Sequence, residues 1–124
     1  MKLCVLLIED DPVQSRLVSR VLENDGFKVR SAESASQALG MIRKERPDLV
    51  LSDVSLPGID GAQAISLMKK DPDLSSVPMI LTSTMPEEEL RIKRAESEAD
   101  DVLPKPFNTE DLVPLIRYWT SRSR

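Results

Sequence analysis

Short apolar runs alternate with stretches of helical periodicity along the whole chain, and no other feature limits the possible folds as strongly. The runs at residues 3–8, 49–51 and 79–81 are almost continuously apolar, which is typical of strands that helices cover on both faces. Between them, apolar residues recur every three or four positions, as along the buried stripe of a helix. Two further runs, 27–32 and 101–105, carry charged residues or a proline, as edge strands do. The pattern predicts five strands, each followed by a helix.

Strands and helices that alternate in this way form a parallel sheet with right-handed crossovers and helices on both faces. Because the second and fifth strands are the edges, we expect an α/β fold with a doubly wound sheet of order 2-1-3-4-5, which is flavodoxin-like. A chain of 124 residues is long enough for one core and short for two, so we predict a single domain over residues 1–124.

The charge and hydropathy of the chain argue against nucleic-acid and membrane partners. The net charge of −4 disfavours direct binding to nucleic acid, and the basic residues near the end of the chain are too sparse to reverse it: Arg117, Arg122 and Arg124. No run approaches the ~18 apolar residues of a membrane span, and the first apolar run is too short for a secretory signal. We therefore expect a cytoplasmic protein with no nucleic-acid or membrane partner.

Residue usage also limits the chemistry. The chain contains no histidine, which excludes catalytic triads, metal sites and phosphate carriers that depend on imidazole. Cys4 is the only cysteine and lies in an apolar run, so it is interpreted as a small core residue. Any reaction must therefore use carboxylates, hydroxyls and lysines.

The ends of predicted strands one, three, four and five carry polar residues and should converge on one crevice. The carboxyl ends of the strands in such a sheet meet at one edge, where ligands bind. The residues at these ends are Glu9, Asp10 and Asp11 after strand one, Asp53 after strand three, Thr82, Ser83 and Thr84 after strand four, and Lys105 after strand five.

Together these side chains suit a phosphoryl group and a hard cation. Carboxylates from two strands are oxygen ligands of the kind that Mg²⁺ prefers, while a lysine and a hydroxyl can contact phosphoryl oxygens. Asp53 is then a candidate nucleophile that forms an aspartyl-phosphate. Each residue alone has an ordinary structural explanation, such as a solvated acid cluster, a turn residue, a helix cap or a surface lysine. Their coincidence at one sheet edge favours the chemical interpretation.

Four segments resemble the receiver domain of two-component response regulators. They are "LLIEDDP", "DLVLSDVSLPGIDG", "VPMILTS" and "ADDVLPKPF", and they occur in the family's order and spacing across nearly the whole chain. The resemblance implies that Glu9 and Asp10 are the metal-binding acid pair, while Asp11 falls outside it and opens the first helix. It implies a Mg²⁺ held by Asp10, Asp53 and the backbone carbonyl of Ser55, with Glu9 acting through water.

The resemblance also assigns the phosphoryl chemistry. Asp53 would be the phosphoacceptor, with Ser83 and Lys105 contacting the phosphoryl group, and the Lys105–Pro106 peptide is expected to be cis. The donor would be a phosphohistidine on a sensor histidine kinase or phosphotransfer protein. The expected role is a switch and not a turnover enzyme, and the downstream target would bind the face formed by helix four, strand five and helix five. We expect a stand-alone receiver without an output domain.

Four positions depart from the family's pattern. Val102 replaces the aromatic residue that usually turns inward on activation, and Thr84 replaces a small residue beside the phosphoacceptor. Glu98 replaces the glycine that usually ends the fourth helix, which predicts backbone strain or a changed cap. Pro114 lies inside the last predicted helix, where it can kink the helix or delay its start.

Three other functions are weighed against a phosphorylation switch. A phosphatase of the haloacid-dehalogenase type needs a second acid two residues after the nucleophile, where this chain has Ser55. A scaffold that keeps the fold but does not switch is suggested by Val102 and Glu98. A flavin-binding module would need a glycine-rich loop after strand one, and the chain has none there.

Overall fold

The strands form one parallel sheet in the predicted order 2-1-3-4-5. The computed structural model describes residues 1–122, so Arg124 lies outside the described residues. The strands are β1 (Cys4–Ile8), β2 (Lys28–Ala32), β3 (Leu49–Asp53), β4 (Met79–Ser83) and β5 (Asp101–Pro104). The helices are α1 (Pro12–Asn24), α2 (Ala35–Lys44), α3 (Gly61–Lys69), α4 (Glu87–Ser97) and α5 (Thr109–Arg122).

The register of the sheet brings the carboxyl ends of the strands to one edge. Ile8, the last residue of β1, pairs with Ser52 of β3, and Asp53 at the end of β3 pairs with Thr82 of β4. Both β3 and β4 extend two residues beyond their apolar runs, because the parallel ladder continues through the polar residues. Residues that are far apart in the chain therefore begin their loops side by side.

Helices cover both faces of the sheet and create two apolar layers. Leu6 and Ile8 point into a layer shared with α2, α3 and α4, while Val5 and Leu7 point into a layer shared with α1 and α5. Strands β1, β3 and β4 are buried throughout, as their continuous apolar runs predict. Among residues 1–122, these three strands supply seven of the twelve largest fully buried side chains. Each fully buried leucine or isoleucine contributes roughly 1.5–3 kcal/mol.

Helix starts follow the capping residues in the sequence. The side chain of Asp11 accepts a hydrogen bond from Val13 N–H at 2.9 Å, and Pro12 is the first residue of α1. Ser34 likewise accepts from Gln37 N–H at 3.1 Å at the start of α2. These side chains satisfy donors that the first helical turn leaves free. The prediction that Asp11 opens the first helix is confirmed.

The effects predicted at Glu98 and Pro114 differ in whether the structure shows them. Glu98 follows α4 with φ 66° and ψ 21°, so the left-handed conformation is kept without a glycine, and the predicted backbone strain is present. Pro114 lies inside α5, which begins at Thr109 directly after Asn108. The proline therefore does not delay the start of the helix.

Two further expectations concern the core and membranes. Cys4 lies on β1 and is only 4% exposed, and burial raises the pKa of its thiol. It is the small core residue that its sequence position predicted. Among residues 1–122, no helix combines the length and apolarity needed to cross a bilayer.

Candidate functional site

Three carboxylates converge at the carboxyl edge of the sheet. Glu9 and Asp10 follow β1, and Asp53 is the last residue of β3. One carboxylate oxygen of each lies within 4.8 Å of the others. Glu9 and Asp53 are buried, at 5% and 9% exposure, while Asp10 faces solvent. Such a cluster of hard oxygen donors fits a divalent cation such as Mg²⁺, which would offset the repulsion among the three acids.

Backbone contacts hold the first acid in place. Glu9 N–H donates to the carbonyl of Ala32 at 3.0 Å, which continues the β1–β2 pairing one residue beyond the strand. The Glu9 carboxylate accepts from Asp11 N–H at 3.3 Å through Oε2. Asp11 itself caps α1, so the structure separates the acidic triplet into two acids of the cluster and one helix cap.

Lys105 supplies the positive charge at this edge. Its Nζ lies 2.7 Å from Glu9 Oε1 and 3.2 Å from Asp53 Oδ2. Burial alone would lower the pKa of Lys105, but the hydrogen bond to Glu9 and the negative charge of Asp53 outweigh it, and the pKa is raised. Burial raises the pKa of Glu9, and the hydrogen bond from Lys105 only partly opposes this effect. Lys105 therefore stays charged and partly balances the buried acids.

The loop after β5 begins in a fixed position. Lys105 N–H donates to the carbonyl of Ser83 at 2.8 Å, which extends the β4–β5 pairing to the lysine. The Lys105–Pro106 peptide is cis, as predicted. The lysine thus begins its loop beside the end of β4, next to the acid cluster.

The hydroxyls at the end of β4 have different environments. Thr82 Oγ1 donates to the carbonyl of Leu103 at 2.6 Å, so this hydroxyl is engaged in holding β5. Ser83 is buried, and its Oγ accepts a hydrogen bond from Met85 N–H at 3.1 Å. Within residues 1–122 the Ser83 hydroxyl donates no hydrogen bond, so its hydrogen is free for a ligand at this edge. This difference supports the choice of Ser83 over Thr82 as the candidate hydroxyl.

Thr84 and Val102 lie outside the acid cluster and have different surroundings. Thr84 is exposed and shares a small pocket of about 250 Å³ with Lys105 and Pro106. Val102 is half-buried on β5, pairs with Leu81 and packs against the apolar layer beneath α2, α3 and α4. Thr84 therefore lies beside Lys105, whereas Val102 belongs to the strand of the α4–β5–α5 face.

Sequence reasoning missed the role of Gly61. A Cβ atom at this position would overlap the carbonyl oxygen of Asp53 and would lie 2.7 Å from Ser52 Oγ. Gly61 N–H donates to the carbonyl of Val54 at 2.8 Å, which closes the loop after β3 against the end of the strand. The available signal was a glycine at the first position of a helix, where helix geometry does not require one.

The loop after β3 is also held by side chains. Asp60 caps α3 by accepting from Gln63 N–H at 2.8 Å, and the Gln63 side chain accepts from Asp60 N–H at the same distance. Ser55 N–H donates to Asp53 Oδ1 at 3.3 Å, so the phosphoacceptor candidate is tied to its own loop. Ser55 N–H therefore contacts one oxygen of the Asp53 carboxylate while Lys105 contacts the other.

Comparison with known proteins decides the family. The model of the response regulator receiver domain matches residues 5–117. The chain belongs to this family. PilH of Pseudomonas aeruginosa is 32% identical over 112 residues, which cover 90% of this chain and 93% of that protein. The phosphate regulon regulator PhoB of Klebsiella pneumoniae is 35% identical over 91% of this chain. The chain spans only 49% of PhoB, about half the length of several relatives it matches.

Solved receiver structures superpose closely on this fold. A putative response regulator from Chloroflexus aurantiacus matches with a TM-score of 0.93 and 30% identity, over 98% of this chain and 99% of that one. The chemotaxis regulator CheY4 of Vibrio cholerae matches with a TM-score of 0.90 and 25% identity, over 96% and 99%. The five-stranded sheet and its helices are therefore those of a receiver domain, a signalling module of two-component systems.

Proposed function

We propose that residues 1–124 form a single receiver domain in which Asp53 accepts a phosphoryl group and thereby switches a downstream contact. The observation that carries the proposal is the position of Asp53, a buried carboxylate with Lys105 Nζ at 3.2 Å and with Glu9 and Asp10 close by. A nucleophilic carboxylate beside a lysine and two further acids is suited to phosphoryl transfer assisted by a cation.

The acids of the cluster would hold the cation. Asp10 and Asp53 would bind Mg²⁺ directly, with the backbone carbonyl of Ser55, and Glu9 would bind through water. Bound Mg²⁺ would neutralise charge on the phosphoryl oxygens. Receiver domains typically bind this ion, and the acid cluster offers only the oxygen donors that it prefers.

The transfer moves a phosphoryl group from nitrogen to oxygen. A carboxylate oxygen of Asp53 attacks the phosphorus of a phosphohistidine on a sensor kinase or phosphotransfer protein. The P–N bond breaks, an O–P bond forms, and the imidazole leaves with its electron pair and takes a proton. The positive charge of Lys105 would attract the oxygens of the transferred phosphoryl group, and the Ser83 hydroxyl would donate a hydrogen bond to them.

The switch would be read at the α4–β5–α5 face. This face carries exposed apolar side chains, with Ile92 of α4 58% exposed and Tyr118 of α5 50% exposed. Trp119 Nε1 donates to Asp101 Oδ2 at 2.9 Å and joins α5 to β5. Because Val102 replaces the usual aromatic residue, movement of Ser83 toward the phosphoryl group would be transmitted by packing against a smaller side chain.

Labelling with acetyl phosphate tests the phosphoacceptor. Incubation with acetyl phosphate and Mg²⁺ should add one phosphoryl group, measured by intact mass, and Asp53→Ala should remain unlabelled. Asp11→Ser is the matched control, since it removes a nearby acid but keeps a capping side chain. Labelling of Asp53→Ala would contradict the assignment.

Two further measurements separate the switch from its alternatives. Addition of beryllofluoride and Mg²⁺ should shift backbone amide resonances of α4 and β5, whereas a scaffold that does not switch predicts shifts only near Asp53. Steady turnover of a generic phosphomonoester, abolished in Asp53→Ala, would instead identify a phosphatase.

A further inference from the structure

An open groove of about 880 Å³ lies between α2 and α3. Its floor is formed by Ile42, Met68 and Leu74, which are buried, while Leu67 stands at its rim with 50% exposure. The groove is lined by the last turns of both helices. Because crossover helices run opposite to the strands, these turns lie at the far edge of the sheet from the acid cluster.

The two rims of the groove carry opposite charges. Arg43 lies on the α2 side, and its guanidinium forms no hydrogen bond or ion pair within residues 1–122. Asp71 and Asp73 lie on the opposite side, in the loop that follows α3, and neither carboxylate forms an ion pair within the same residues. Arg46 is engaged differently, since it donates to the carbonyl of Asp73 at 2.8 Å and fixes the end of the groove.

The charges on the two rims of the groove are complementary to those of a second copy of the chain. A two-fold axis parallel to the groove places the basic rim of one copy opposite the acidic rim of the other, which is the pairing an isologous interface requires. The same operation places each exposed Leu67, on the α3 side, against the α2 side of the other copy's groove, which carries the half-buried Leu39. A uniformly acidic or uniformly basic partner would instead meet like charge along one of the two rims.

We propose that the α2–α3 groove is a homodimer interface occupied by a second copy of this chain. Leu67 provides the apolar anchor, and Arg43 of each copy pairs with Asp73 of the other. The interface leaves the acid cluster and the α4–β5–α5 face uncovered in both copies. Dimerisation through the groove is therefore independent of the proposed phosphoacceptor role of Asp53.

Sedimentation equilibrium tests the apolar anchor. Over roughly 10–500 µM protein, the wild type should show a monomer–dimer equilibrium, and Leu67→Glu should weaken the dimer at least about tenfold. Ile92→Glu is the matched control, because Ile92 is an aliphatic residue of similar exposure on α4, and it should leave the dimer unchanged. A wild type that stays monomeric throughout, or a dimer lost in Ile92→Glu and kept in Leu67→Glu, would overturn the proposal.

A charge exchange tests the pairing of the rims. Arg43→Asp and Asp73→Arg should each weaken the dimer about tenfold, and the combined variant should recover to within about threefold of the wild type. Failure of the combined variant to recover would contradict the two-fold pairing. Arg43, Leu67, Asp73 and Ile92 are all exposed, so each of these variants should still melt as a folded protein. Labelling by acetyl phosphate should be unchanged in Leu67→Glu, which separates this proposal from that for Asp53.

Discussion

At the scale of single residues, the site depends on one position that has no reactive group. Gly61 lets α3 start against the end of β3, where any side chain would strike the backbone of Asp53. The carboxylate of Asp53 meets Lys105 and Glu9 only while this backbone keeps its place. The reactive residues were predictable from their positions after the strands, whereas the need for Gly61 arises from a contact between two elements.

Replacing Gly61 tests this dependence. Gly61→Ala should lower the free energy of unfolding by about 3 kcal/mol, because the added methyl group displaces the backbone of Asp53, and it should also slow labelling by acetyl phosphate. Gly40→Ala is the control, since Gly40 lies within α2 and a Cβ there meets no atom within 4 Å. That variant should gain about 0.5–1 kcal/mol in urea unfolding. Equal behaviour of the two variants would show that the close approach at Gly61 is unimportant.

At the scale of elements, α4 ends on a residue with a Cβ in a left-handed conformation. Glu98 adopts φ 66°, a conformation that costs a residue with a Cβ roughly 1–2 kcal/mol. Arg94 compensates in part, because its carbonyl accepts the N–H of Glu98 and its guanidinium donates to the carbonyl of Ala99 at 3.2 Å. The sequence showed that a glycine was missing here, but only the backbone shows that the left-handed turn persists without it.

Restoring glycine should therefore stabilise the protein. Glu98→Gly should raise the free energy of unfolding by about 1 kcal/mol, measured by urea denaturation. Glu96→Gly should lower it by about 0.5–1 kcal/mol, because Glu96 lies inside α4. A loss of stability in both variants would mean that the turn at position 98 is not strained.

At the scale of the whole molecule, the sheet brings together carboxylates that come from different strands. Glu9 and Asp10 come from the end of β1 and Asp53 from the end of β3, and Lys105 from the loop after β5 balances only part of their charge. The folded state therefore contains repulsion that the unfolded chain relieves by separating the acids. Binding of a cation to this cluster should stabilise the native fold.

Thermal unfolding with and without Mg²⁺ measures this linkage. At a concentration of about 100 times the dissociation constant, Mg²⁺ should add roughly 2.7 kcal/mol to the free energy of unfolding. Asp10→Ala should remove most of this gain and should be more stable than the wild type when no divalent cation is present. Asp11→Ser should keep the full gain, because Asp11 caps α1 and lies outside the cluster. An equal gain in Asp10→Ala would place the cation elsewhere.

The sequence by itself determined the order of elements, the sheet topology and the four strand ends that carry polar residues. Those properties follow from local periodicity and from the buried or exposed character of each strand, which neighbouring residues encode directly. Only the tertiary structure decided that the Thr82 hydroxyl donates to the Leu103 carbonyl while the Ser83 hydroxyl accepts from Met85 N–H, that Lys105 bridges Glu9 and Asp53, and that Gly61 must lack a side chain. These are contacts between residues distant in the chain, and their distances depend on how the strands pair and the helices pack.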